Sequence, residues 1–220
     1  METSTKRIRA GLPIPQKVTL LRVAGLCGIL CPAVTLTTIF IAISYAPWFS
    51  FTGDSLSNLA GLAAERPIWA ARGTASIIFN SGLVTDGILT LLFATGLREN
   101  LQLTTRLGRL GQLLFVLGAC ALTAIGIFPK TMGSIHSAFS ASFFFLIPMS
   151  MLLMGIAVLK SSHKVLGWFT IALAVIGLCP LFIPWPWEGE AIPDMISISA
   201  MMAFALVFGI RLLRQTIDTI

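Results

Sequence analysis

Apolar residues in this chain gather into six long runs that are separated by short polar stretches. A helix needs about twenty apolar residues to cross a hydrocarbon core of roughly 30 Å, and each run is that long. The runs cover, approximately, Val23–Tyr45, Thr74–Leu97, Leu107–Phe128, Ile135–Leu159, Val165–Pro184 and Ile192–Leu213. The pattern predicts an all-α polytopic membrane protein, folded as a single bundle of six transmembrane helices.

The connections between the runs are too short to hold a separate soluble domain. We therefore predict a tail over residues 1–21, a six-helix transmembrane domain over 22–214, and a second tail over 215–220. Composition agrees, because hydrophobic residues make up 56% and charged residues only 11% of the chain. The mean hydropathy of +0.90 lies outside the range that is usual for water-soluble proteins.

Lysine and arginine are distributed unequally between the two ends of the predicted bundle. Twelve of the 15 lie on the side that holds both termini, and only Arg66, Arg72 and Lys130 lie on the other. Cytoplasmic loops carry the excess of positive charge, so both termini are predicted to be cytoplasmic and the protein to reside in the cell membrane. The net charge of +6 is then explained by anionic lipid heads rather than by nucleic acid.

Cysteine and histidine provide little for a cofactor or metal. All four cysteines lie in predicted spans, so no disulfide in an outer loop is expected. Cys27 and Cys31 share a helical face, which small apolar packing explains better than a soft metal site. The two histidines, His136 and His163, lie on opposite sides of the membrane, which argues against haem held by two histidines. The sequence therefore indicates no metal and no cofactor.

Several polar residues occupy positions where a membrane protein rarely places them. Most lie at or near the end opposite the termini, where they could meet in one cavity open to the outer leaflet; Asp86 lies deeper, near the middle of its span. The residues are Ser55, Ser57, Asn58, Asn80, Asp86, His136, Ser140 and Asp194.

Four segments with these residues carry a family resemblance. They read SLSNLAG, IFNSGLVTDGILTLLFATGL, GIFPKTMGSIHSAFSASFFFL and AIPDMIS, in that order along the chain. Together they resemble domain-of-unknown-function family 998, a group of bacterial and archaeal multi-pass membrane proteins, and are distantly similar to the damage-regulated autophagy modulator family. Asn58 stands where an acidic residue is common in the family, and Asp194 where a glutamate is usual. The resemblance implies a membrane bundle and no particular activity.

Each polar residue has a structural and a functional interpretation. Asn80 lies on a stripe of small residues with Gly73, Gly87 and Ala94, where a hydrogen bond between helices would stabilise packing. Asp86 lies mid-span, where an aspartate costs roughly 2.5–3.5 kcal/mol to insert. It is either a neutral carboxyl bonded to a neighbouring helix or a group that handles protons or ions.

His136 is either a residue that caps the start of the fourth helix or part of a site. Histidine titrates near neutral pH and suits acid–base catalysis. Asp194 could then orient the ring, with Ser55 or Ser57 as the nucleophile. In a binding site, Asn58, Asn80, Asp86 and Ser140 would contact the ligand.

Three classes of function remain open. We favour a protein that binds a lipid or small apolar ligand in a polar cavity facing the outer leaflet. The first alternative is a membrane-embedded lipid-modifying hydrolase or transferase that uses His136 with Asp194. The second is an accessory or assembly subunit of a larger membrane complex. The partners predicted are membrane lipid and, as open alternatives, a second copy of the chain or a membrane complex, but no nucleic acid.

Overall fold

Six long helices make up most of the part of the chain that the structure, a computed structural model, describes. That part comprises residues 14–61, 73–101, 103–160 and 163–217. The helices are α1 (Ile14–Ser44), α2 (Thr74–Asn100), α3 (Arg106–Ile127), α4 (Ser134–Leu159), α5 (Lys164–Leu178) and α6 (Ala191–Ile217). Each is long and apolar enough to cross a membrane, α5 together with the short turn that follows it. The predicted class, an all-α polytopic membrane protein, is therefore confirmed.

Most helix bounds fall within a few residues of the predicted spans, but two ends differ. Helix α1 begins at Ile14, inside the stretch 1–21 that the sequence analysis assigned to a tail. Lys17 in this extension pairs with Glu99 at 2.8 Å, which ties it to the last turn of α2. Helix α5 ends at Leu178, and a 3₁₀ turn over Cys179–Leu181 follows it before Pro184. Arg66 and Arg72, which the sequence analysis assigned to the side opposite the termini, lie outside the described residues.

The helices form a ring in which each one packs against the next and α6 returns to α1. Glycines allow the closest approaches. A Cβ on Gly25 of α1 would lie 3.0 Å from the Gly209 carbonyl oxygen on α6. One on Gly126 of α3 would lie 2.6 Å from the Asn80 carbonyl oxygen on α2. Such close backbone contact is the usual basis of helix association in lipid.

Four phenylalanines fill the interior of the ring toward the end at which α1 begins and α6 ends. The ring centroids of Phe93 and Phe115 are 6.0 Å apart, and those of Phe204 and Phe208 are 4.5 Å apart. Phe204 also contacts Phe93 and Phe115, with centroids 6.2 and 5.9 Å away. The cluster is fully or almost fully buried and closes the interior on this side.

The opposite end, which we call the far end, comprises residues 45–61, 128–133 and 179–190. Its connections are tied together by their backbones. The Gly189 amide donates to the Thr52 carbonyl at 2.9 Å, and the Ala191 amide donates to the Asp54 carbonyl at 3.0 Å. A Cβ on Gly189 would lie 2.6 Å from the Asp54 carbonyl oxygen, so glycine is required for this approach. The first and last connections therefore form one layer over the ring.

Candidate functional site

A cavity of about 580 Å³ opens at the far end and extends into the middle of the bundle. Its deep wall includes Asp86, which lies twelve residues into α2. At 1.5 Å per residue, this position is about 18 Å from the start of the helix. The cavity is polar near its mouth and mainly apolar further in. Its polar lining comprises Ser57, Lys130, His136, Ser137, Ser140, Glu190 and Asp194 near the mouth, and Cys31, Thr35, Thr38, Asp86 and Thr90 deeper.

His136 lines the cavity and lies in the first turn of α4 with only 2% of its surface exposed. Its Nδ1 is 2.7 Å from the Phe128 carbonyl oxygen, which can only accept, so the proton of a neutral ring resides on Nδ1. The Ile125 carbonyl is also near the ring, but no described atom meets hydrogen-bond geometry at the buried Nε2. The ring is thus held in one orientation with an unused nitrogen.

Asp194 lies in the first turn of α6 and also lines the cavity. Its Oδ2 accepts a hydrogen bond from the Leu56 amide at 3.3 Å, which connects α6 to the short 3₁₀ helix Leu56–Ala60. A carboxylate is favoured near a helix N-terminus by the exposed amides there. The described structure records no hydrogen bond between Asp194 and His136, so the orienting role predicted for this carboxylate stays a prediction.

Lys130 joins the predicted polar residues of the first connection. Its Nζ donates to Ser55 Oγ at 2.7 Å and to Asn58 Oδ1. The Asn58 amide in turn donates to Asp54 Oδ1 at 2.6 Å, and Ser55 Oγ is 3.0 Å from Ser57 Oγ. Ser55 and Asn58 therefore support the mouth from behind, while Lys130 and Ser57 line it.

The charge at the mouth is mixed. Burial lowers the pKa of the Lys130 ammonium from its usual value of 10.5, while the nearby carboxylates of Glu190, Asp194 and Asp54 act in the opposite direction. Among the described residues, one cation lies near three acidic groups, which does not make a strongly anion-selective site. The arrangement suits a polar group that both donates and accepts hydrogen bonds.

Asn80 does not line the cavity. Its Nδ2 donates to the Ala60 carbonyl at 2.8 Å and lies 3.1 Å from Ser76 Oγ, so it fastens α2 to the first connection. The stripe to which it belongs packs inside the chain. A Cβ on Gly87 would lie 2.7 Å from the Thr123 backbone nitrogen, and the Ala94 carbonyl accepts from Gln112 of α3 at 3.3 Å.

Asp86 contacts different neighbours from Asn80. Its Oδ2 lies 2.6 Å from Thr35 Oγ1 on α1. The Cys31 thiol is close by, but its Sγ contacts Thr90 Oγ1 at 3.6 Å, and Asp86 Oδ1 has no hydrogen-bond partner among the described residues. Ser140 lies on the α4 wall, one turn beyond His136.

Of the predicted site residues, the structure thus brings His136, Ser140, Asp194, Ser57 and Asp86 to one cavity. It leaves Ser55, Asn58 and Asn80 behind the lining. The sequence analysis did not assign Lys130 or Thr35 to the site. Lys130 had a signal, since it is a basic residue within the motif that leads to His136. Thr35 had none, because threonine is common in membrane helices and only its contact with Asp86 distinguishes it.

No group of three His, Cys, Asp or Glu side chains that could hold a metal ion occurs among the described residues. The four cysteines are free thiols, with Cys27 and Cys31 buried among α1, α2 and α6.

A ring of six membrane-spanning helices around a cavity with a polar mouth defines the class: a multi-pass integral membrane protein. Within this class, the chain belongs to the family described as Protein of unknown function (DUF998), whose match covers residues 29–211. The family suggested by the four sequence segments is therefore confirmed. No curated protein and no solved structure matches the chain. The distant similarity to the autophagy modulator family stays a prediction.

Proposed function

We propose that the protein binds a lipid or similar amphiphile in the cavity, with the polar part of the ligand at the far end and its apolar part in the bundle. The observation that carries this proposal is the gradient within one cavity. Lys130, His136 and Asp194 line its mouth, and Phe115, Leu122 and Ile147 line its deeper part.

The size and depth of the cavity support an amphiphile over an ion. Ligand sites in proteins usually measure about 300–1,000 Å³, and the volume of about 580 Å³ lies in that range. An ion site would need several charged or carbonyl ligands gathered around one point, whereas the charged side chains here are divided between the mouth, with Lys130, Glu190 and Asp194, and the deep wall, with Asp86. From the charge bias of the sequence, we further propose that the far end faces away from the cytoplasm.

The test places a bulky side chain on one wall of the cavity and measures whether a ligand stays bound to the purified protein. Ser140 lines the cavity, and Ser142, two residues further along α4, does not. Native mass spectrometry of protein extracted from its own membrane is expected to show a retained amphiphile in the wild type and in Ser142→Phe, and its loss in Ser140→Phe. Equal spectra from all three proteins would refute a ligand in this cavity.

A second candidate is a membrane-embedded lipid-modifying enzyme. The observation that favours it is His136, whose Nδ1 is fixed by the Phe128 carbonyl while Nε2 has no hydrogen-bond partner in the part of the chain that the structure describes. A neutral imidazole held in this way leaves Nε2 as the basic nitrogen, as a general base requires. Ser57 lines the cavity from the first connection, and its hydroxyl lies 3.0 Å from Ser55 Oγ, which accepts a hydrogen bond from Lys130.

Turnover separates the two functions. Purified protein is incubated in vesicles of phosphatidylethanolamine and phosphatidylglycerol, and the lipids are analysed by mass spectrometry. If the protein is an enzyme that acts on these lipids, a lysolipid or head-group product accumulates with the wild type and disappears with His136→Ala, whose folding is checked by thermal unfolding. Unchanged lipids, together with a retained ligand in the cavity-filling test, favour binding alone.

A further inference from the structure

Helix α5 contributes nothing to the cavity that its neighbours line. Among its described residues, Lys164 to Leu178, none is part of the lining, which passes from Ile147 of α4 directly to Pro180. With 15 residues, α5 is about 22 Å long, shorter than a hydrocarbon core of roughly 30 Å. The remaining thickness on this side is crossed by the chain after α5 rather than by α-helix.

That chain forms a thin wall. Leu181, Ile183 and Trp185 line the cavity, while Phe182 between them is turned outward and 74% exposed. The Trp185 indole donates to the Pro180 carbonyl at 3.1 Å, which holds the wall in a tight turn. One layer of chain with alternating inward and outward apolar side chains separates the cavity from the surroundings of the bundle.

The helices on both sides of this wall each present a stripe of cavity-lining residues, which is mixed on α4 and apolar on α6. On α4 the stripe is Ser137, Ser140, Ala141 and Phe144, and on α6 it is Ile198, Met201, Met202 and Ala205; these residues line the cavity. Each stripe follows the i, i+3, i+4, i+7 spacing of one helix face. Apart from Ala205, all of them remain at least partly exposed. In a continuous ring, the outer part of α5 would cover both stripes.

We propose that the side of the cavity between α4 and α6, beyond the end of α5, where only the single layer of chain over residues 181–185 covers it, is a lateral opening at which a membrane lipid enters the cavity from the leaflet at the far end. This inference rests on the proposed function and specifies its ligand as a membrane-resident lipid rather than a water-soluble molecule. The serines on α4 lie nearest the far end, at the depth of a lipid head group. Phe144 and the two methionines lie deeper, where acyl chains are. Methionine side chains adapt to irregular apolar ligands, which suits a flexible chain.

The test uses photo-crosslinking from the lipid phase. The full chain is reconstituted in vesicles of phosphatidylethanolamine and phosphatidylglycerol that contain a trace of phosphatidylglycerol with a diazirine on its acyl chain. After irradiation, crosslinked peptides are mapped by mass spectrometry. We expect labels on the two stripes in the wild type and loss of most of that label in Ala141→Trp, in which the indole blocks the opening. The matched control, Ala172→Trp, places the same group on an exposed position of α5 outside the cavity.

The possible results separate the two proposals. Chromatography and thermal unfolding verify that Ala141→Trp folds, and Ala141→Leu provides a smaller obstruction with a partial loss of label. Two results would overturn the lateral opening and leave the cavity as a ligand site. In the first, the stripes are labelled equally in the wild type and in Ala141→Trp. In the second, the stripes of the wild type are not labelled although a ligand is retained. Unlabelled stripes with no retained ligand would overturn both.

Discussion

At the residue scale, the hydrogen bonds around Thr35 favour a protonated carboxyl group on Asp86. Thr35 Oγ1 lies 2.6 Å from Asp86 Oδ2 and 2.9 Å from the Cys31 carbonyl oxygen. The hydroxyl has one proton and the carbonyl can only accept, so Thr35 cannot donate to both groups at once. A protonated carboxyl that donates to Thr35 satisfies both contacts. It also avoids a charge in mid-membrane.

Asp86→Asn should therefore leave thermal stability nearly unchanged, because an amide can donate to Thr35 as the neutral carboxyl does. Asp86→Leu should cost on the order of 1 kcal/mol, the usual net value of one hydrogen bond. Thermal unfolding in detergent measures both. A large loss of stability in Asp86→Asn would indicate instead that the carboxyl is ionised and that its charge is needed.

The partly buried ammonium group of Lys130 should make the stability of the protein depend on pH. Burial lowers its pKa in the folded protein below the usual 10.5, so between the two values the unfolded chain binds more protons. Stability then rises with pH across that window. We expect the melting temperature of the wild type, relative to Lys130→Met, to increase from neutral pH toward 10.5. A difference in melting temperature that stays constant or decreases would show that burial does not destabilise the charged form of Lys130.

At the scale of elements, the far end depends on contacts between connections that are distant in sequence. The amides of Gly189 and Ala191 bond to the carbonyls of Thr52 and Asp54. These bonds fix the start of α6, and with it Asp194 in its first turn. The first connection also presents Leu56, whose amide holds the Asp194 carboxyl. Contacts between loops therefore position part of the mouth of the cavity, although several of its lining residues, such as His136 and Asp194, lie in helices.

Gly189→Ala should destabilise the protein by about 1–3 kcal/mol, the usual cost of an added methyl group in a packed site. The new Cβ would lie 2.6 Å from the Asp54 carbonyl oxygen, which is backbone and cannot rotate away. The matched control is Gly53→Ala in the same layer, whose Cβ would have its nearest neighbour at 3.6 Å. Equal melting temperatures for the two variants would contradict the close packing of the connections.

At the scale of the whole molecule, the six spans of the described residues place the start of α1 and the end of α6 on the same side. The sequence predicts that twelve of the 15 lysines and arginines lie on that side. The side is therefore predicted to be cytoplasmic. This orientation decides which leaflet can supply a lipid to the cavity, because the mouth of the cavity lies at the far end of the bundle.

Reporter fusions at the C-terminus test the orientation. Alkaline phosphatase, which needs an oxidising compartment, should be inactive there, and green fluorescent protein should be fluorescent. A second phosphatase fusion after residue 61, in the first connection, should be active. The opposite pattern would move the far end to the cytoplasm and change the leaflet from which a lipid enters, without affecting the cavity itself.

The sequence by itself determined the class, the six spans and their order. The reason is that the length of an apolar run is a local property, and it decides whether a helix can cross the hydrocarbon core. It also identified the polar residues that are costly to place there. It did not determine which of these residues meet. Asn58 and Lys130 are 72 residues apart, and Thr35 and Asp86 are 51 apart.

Only the tertiary structure decided those pairings, because they depend on how each helix is rotated and how closely it approaches its neighbours. Glycines such as Gly126 set these approaches, and the sequence does not state what a glycine faces. The same holds for the cavity, which exists because α5 ends early while α4 and α6 continue past it. Pro180 within the apolar run that extends to Pro184 indicates a kink or an end of the helix, but hydropathy alone does not show that the helix stops at Leu178. Packing and chain geometry, rather than hydropathy, separate a lining residue such as Ser140 from a supporting one such as Asn80.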